Sequence, residues 1–107
     1  MKWLEIIFLR TPGTAEQPVQ RLRMVAASLS AAGLVEAVLY NHASIPGDLA
    51  LALRWDTKEP RLRGSDLGLS LMGELKHLGL VDHSIWIVAS STGGVEGQGE
   101  LKRGGDS

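Results

Sequence analysis

Residues able to do chemistry fall at three places in this chain. The first is His83, in a run of alternating apolar residues near the end. The alternation predicts its imidazole beneath the helices, among Val81, Ile85 and Phe8, where it can act as a general base or as a donor that orients a ligand. A core histidine with one satisfied hydrogen bond, or a partly exposed edge-strand residue, fits the same pattern. The second is Glu5, within the apolar run that opens the chain. The pattern predicts it on the uncovered face of a sheet, where a carboxylate must pair or protonate; Tyr40 or Lys2 of a second copy are the expected partners. The third is the loop of Lys58, Arg61 and Arg63, which leads into Ser65 at the start of a helix. Free backbone amides and nearby cations make Arg61, Arg63 and Ser65 a candidate site for a phosphate or carboxylate, against the alternative of a solvated basic loop.

Other chemistries are excluded by residue type and spacing. The chain has no cysteine, so it offers neither a thiolate ligand nor a disulfide. His42, His77 and His83 share no i, i+4 relation and no paired carboxylates accompany them, so no metal site is expected. Ser30, Ser65, Ser70 and Ser84 lack a nucleophile-elbow context. Gly64, Gly68 and Gly73 run into and through a helix instead of bridging strand to helix, which is not a nucleotide fingerprint; Gly68 and Gly73 fit a close helix approach or a cavity. With 11 Lys and Arg against 12 Asp and Glu, charge gives no reason to expect nucleic acid or an anionic membrane as partner. No run is long enough to span a bilayer, and the opening Met-Lys-Trp-Leu-Glu-Ile-Ile does not read as a signal peptide; a cytoplasmic protein is expected. No cofactor is indicated.

The elements that must position these residues can be read from periodicity. Trp3–Arg10 reads as a buried strand closed by Thr11-Pro12-Gly13. A helix follows, starting near Thr14 or Pro18, with Val19, Leu22, Ala26 and Leu29 on one stripe and Gly33 as its stop. Leu34–His42 alternates as a strand, and Ala43 to Asp48 turns the chain into a third strand, Leu49–Trp55. Ser65 caps a second helix with Leu67, Leu71, Leu75 and Leu78 on its stripe and Gly79 as its stop. Leu80–Ala89 is the last strand. From residue 90 the chain holds six glycines in eighteen residues, so 1–89 reads as the domain and 90–107 as a tail expected to be disordered.

The order β-α-β-β-α-β is ferredoxin-like: a four-stranded antiparallel sheet with both helices on one face. Internal repetition supports it, because Gly33-Leu34-Val35-Glu36 recurs 46 residues later as Gly79-Leu80-Val81-Asp82. The same offset lays Trp3–Leu9 onto Leu49–Trp55. Pattern then assigns Leu4, Ile6, Phe8, Val35, Ala37, Leu39, Ala50, Ala52, Val81, His83, Ile85 and Ile87 to the helix side. Trp3, Glu5, Ile7, Leu9, Glu36, Val38, Tyr40, Leu49, Leu51, Leu53, Ser84, Trp86 and Val88 go to the open side. An open face so apolar calls for a cover. Packing it on a second copy would bury roughly 700 Å² per chain, a gross gain on the order of 15 kcal/mol, so a homodimer is expected.

The segment Trp3–Ala89 resembles the dimeric α+β barrel superfamily, in which ferredoxin-like subunits pack sheet against sheet and which includes antibiotic-biosynthesis monooxygenase-like and haem-degrading proteins. The most local point of likeness is Arg54-Trp55-Asp56-Thr57-Lys58-Glu59, similar to the Arg-Trp-x-x-Lys-Glu stretch of haem-degrading members. Those members add an asparagine in the first strand and a histidine early in the second helix. This chain has Glu5, Ile6 and Ile7 in that strand, and His77 comes two turns late, so the carry-over is Trp55 alone. What the resemblance implies is a dimer and a cofactor-independent oxygenase-type activity. Two functions follow as expectations. One is a protein that binds, or acts on, a small molecule between helices and sheet near His83, Trp55 and Phe8, with Trp86 as a further binding residue. The other is a non-catalytic interaction or ligand-sensing module.

Overall fold

The computed structural model describes residues 1–12 and 17–92. Strands β1 (Lys2–Arg10), β2 (Leu34–Asn41), β3 (Asp48–Asp56) and β4 (Leu80–Ile87) alternate with helices α1 (Gln17–Ser28) and α2 (Asp66–Leu75) in the order β1-α1-β2-β3-α2-β4. The four strands form one antiparallel sheet in the spatial order β2-β3-β1-β4, the ferredoxin-like arrangement. The long apolar strands β1 and β3 take the centre, where both of their edges are hydrogen-bonded, while β2 and β4 form the edges. The expected tail lies largely outside the described residues, as does Thr14.

Both helices cover one face through their apolar stripes. Leu22 of α1 and Leu71 and Leu75 of α2 are buried against the sheet, with Val19, Val25, Ala26, Leu29, Leu67 and Leu78 packed at the margins. Ser65 caps α2 with its side chain accepting from the Gly68 N–H, as its residue type and position require. The glycines at 33 and 79 are not the helix stops expected of them: α1 ends at Ser28 and α2 at Leu75. Each serves the following strand instead. Gly33 adopts φ +87° in the turn before β2, and a Cβ on Gly79 would lie 2.1 Å from the Arg10 carbonyl oxygen.

The two central strands turn the opposite way from the expectation. Trp3, Glu5, Ile7 and Leu9 of β1 and Leu49, Leu51, Leu53 and Trp55 of β3 are buried and, Glu5 aside, make up the core with the helices. Leu4, Ile6 and Phe8, with Ala50, Ala52 and Arg54, take the uncovered face. The physical reason is volume and charge. The large residues fill the space under the helices, the alanines do not, and Arg54 reaches solvent and pairs with Glu36 of β2. In β2 and β4, Ala37, Leu39, Val81 and Ile85 pack against the core as expected. Val35 does not: a bulge between Leu34 and Glu36 leaves it exposed, and Ile87 is exposed at the end of its strand.

Candidate functional site

Glu5 occupies the middle of β1 and is fully buried. An unpartnered carboxylate there would cost several kcal/mol, so its surroundings are informative. The strand register supplies two neighbours. Trp55 pairs with Trp3 and His83 pairs with Ile7, which places them diagonally on either side of Glu5 on the helix face of the sheet. The N-terminus of α2 closes the site from above with Ser65.

Trp55 Nε1 donates to Glu5 Oε1 at 3.0 Å, and the Ser65 hydroxyl donates to the same oxygen at 2.6 Å. The Ser65 N–H donates to Oε2 at 3.0 Å, and His83 Nε2 lies 2.7 Å from Oε2. Each carboxylate oxygen thus has two partners. Ser65 joins two functions, because its Oγ accepts the Gly68 N–H at 2.9 Å while its proton goes to Glu5. The positive end of the α2 dipole adds to the field that favours a negative charge at this spot. Trp55 is held for its part by stacking on Trp3, with ring centroids 5.5 Å apart and planes inclined by 15°. Two glycines make room. A Cβ on Gly68 would come within 2.1 Å of Glu5 Oε2, and one on Gly64, at φ +107°, within 2.4 Å of His83 Cε1.

The structure therefore unites three of the residues singled out by sequence, Trp55, Ser65 and His83, around a fourth, Glu5, whose expected place at the open face is corrected. Its partners come from β3, β4 and the α2 cap of its own chain, not from Tyr40 or Lys2 of a second copy. The Ser65 amide proposed for an external anion is committed to this internal carboxylate. Arg61 instead pairs with Asp66 at 2.9 Å and Arg63 is exposed. Phe8 and Trp86 lie on the other face of the sheet, 44% and 55% exposed, so Phe8 shares no pocket with Trp55 and His83. Trp86 Nε1 donates to Ser84 Oγ at 2.8 Å.

Among the described residues two concavities stand out. One, of about 420 Å³, lies at the end of the sheet where Phe8, Tyr40, Ala50, Leu80 and Asp82 surround an apolar floor. Its polar rim includes His42, Arg10 and Asp48; Arg10 Nε and a terminal nitrogen each donate to Asp48 at 3.1 Å. The hydrogen bond to Asp48, and then its charge, hold the Arg10 guanidinium above its ordinary pKa. The second, of about 280 Å³, runs between the helices past Leu22, Val25, Leu71 and Gly73. His83 lines neither. Among the described residues no group of three or more metal-ligating side chains converges, and no helix is long and apolar enough to cross a membrane.

No protein-family model matches the chain, and no curated protein matches it. Among solved structures, that of Rv0793 from Mycobacterium tuberculosis is similar to it, with a TM-score of 0.61 at 18% identity, covering 87% of this chain and 100% of that one. The likeness is one of fold.

Proposed function

We propose that this chain is a homodimeric small-molecule-binding protein that joins its copies through the bare sheet face and takes its ligand in the concavity at the Phe8–Tyr40 end of that face. The observation that carries the reading is the concavity itself. Its volume of about 420 Å³ falls in the range of small-molecule sites, about 300–1,000 Å³, and it combines aromatic walls with a few polar groups at one end.

The pairing of copies rests on the chemistry of the rest of the face. Leu4, Ile6, Phe8, Val38, Tyr40, Ala50 and Ala52 form an apolar band across the strands, with Trp86 beside it on β4. Two ion pairs close within the chain at its ends, Arg10 with Asp48 and Arg54 with Glu36. Such a band asks for an apolar cover, and with these two ion pairs closed within the chain it suits a self-complementary copy. A second copy would also roof the concavity, turning an open depression into an enclosed site.

The test is twofold. Sedimentation equilibrium of the wild type is expected to give a dimer mass and that of Ile6→Glu a monomer mass with the fold retained. Fragment screening by protein-observed NMR is expected to shift resonances of Phe8, Tyr40 and Leu80. Monomeric wild type, or fragment shifts confined to other regions, overturns the proposal.

A further inference from the structure

The imidazole of His83 is constrained on two sides, by Glu5 and by Gly64. We propose that Glu5 is a positioning residue that fixes His83 in the Nε2–H tautomer, so that Nδ1 is presented as a proton acceptor at the β4 edge of the sheet. This site lies on the opposite sheet face from the concavity, so it stands or falls separately from the binding reading.

Trp55 Nε1–H and the Ser65 N–H can only donate, one to each carboxylate oxygen, and the Ser65 hydroxyl, whose oxygen accepts from Gly68, directs its proton to Oε1. All three satisfy an ionised carboxylate, and α2 points its N-terminus at it. Facing that charge at 2.7 Å, His83 Nε2 serves as the fourth donor and carries the ring proton. In a neutral imidazole the other nitrogen then holds the lone pair. Among the described residues no hydrogen bond reaches Nδ1, while the backbone N–H of His83 is occupied by Asp82 Oδ1 at 2.9 Å. The ring is held from a second side by Gly64, where any side chain would collide with it. His83 keeps 11% of its side chain exposed, and β4 is an edge strand, so the ring is not sealed.

A ring held in this way accepts a proton at Nδ1 from a small acid bearing an O–H. The O–H bond breaks with its electron pair left on oxygen, the N–H bond forms, and the resulting imidazolium is stabilised by the Glu5 carboxylate beside Nε2. That is the arrangement of a general base with its orienting carboxylate. Here the orienting group is the interior residue, fully buried, while the imidazole keeps a small exposed edge.

Nitrogen-15 NMR of histidine-labelled protein reads the tautomer directly. The wild type is expected to show a protonated Nε2 and a bare Nδ1 for His83. In Glu5→Gln the amide keeps its oxygen toward Trp55 and the Ser65 hydroxyl and turns its NH₂ toward Nε2, at the cost of the acceptor for the Ser65 N–H, so the tautomer is expected to invert. Diethyl pyrocarbonate, read peptide by peptide in the folded protein, should modify wild-type His83 and spare it in Glu5→Gln, with His42 and His77 reacting alike in both. A wild-type Nδ1–H tautomer, an unchanged tautomer in Glu5→Gln, or protection of wild-type His83 from the reagent each overturns the proposal. If Glu5→Gln does not fold, the wild-type tautomer and its reactivity decide the matter.

Discussion

The two faces of this sheet solve opposite problems with adjacent residues of the same strands. On the helix face a carboxylate, Glu5, is fully buried, and four groups drawn from three other parts of the chain converge on it. On the bare face the neighbouring residues Leu4, Ile6 and Phe8 are apolar, and Arg10 pairs with Asp48 and Arg54 with Glu36 at the margins. The difference teaches that hydrophobicity by itself does not orient a central strand. A buried charge is tolerated where donors meet it, while an apolar face without a cover is costly in water.

The comparison breaks most sharply at Glu5. Replacing it by Leu leaves the donors of Trp55, Ser65 and His83 facing an apolar side chain, and a loss of about 3–5 kcal/mol, a large share of the stability of a domain this size, is expected in urea denaturation. Ile6→Glu, one residue along on the other face, is expected to leave the monomer's unfolding free energy within about 1 kcal/mol while changing the mass in solution from dimer to monomer. A result in which the two variants behave alike would mean that the faces are not distinct.

Two glycines of α2 sharpen the contrast within a single helix. Gly68→Ala drives a methyl group into Glu5 Oε2 and should cost about 1–3 kcal/mol, with the tryptophan fluorescence of Trp55 altered as its hydrogen bond is displaced. Gly73 has nothing within 4 Å of a Cβ, so Gly73→Ala should stabilise by about 0.5–1 kcal/mol through helix propensity alone. The smallest effect on stability is expected from Phe8→Ala. Its ring is partly exposed, so thermal unfolding should move little, while any fragment bound at the Phe8–Tyr40 concavity is lost from the NMR titration.

Much of this was legible along the chain. The helix stripes of Leu22 and of Leu71 with Leu75, the Ser65 cap, the hairpin from β2 to β3 and the repeat at 46 residues are local patterns, set by backbone geometry within a few residues. The repeat even preserved the relation between β1 and β3, since both turned the same way. Their shared direction was not legible, because each carries apolar residues at both parities and the register of Glu5 opposite Leu53 leaves Glu5 and Arg54 on opposite faces whichever way the strands turn. Weighting Leu49, Leu51, Leu53 and Trp55 against Ala50, Ala52 and Arg54 was the available signal. The bulge at Val35 left no signal of its own.

By itself the sequence determined the order of elements, the stripes that face inward and the residue types able to do chemistry. Tertiary structure decided which of those residues meet. Glu5 finds Trp55, Ser65 and His83 at separations of 50, 60 and 78 residues. The reason is physical: periodicity is a property of neighbouring residues, whereas satisfying a buried charge requires donors delivered by strand register and helix docking together, and those exist only once the whole sheet has formed.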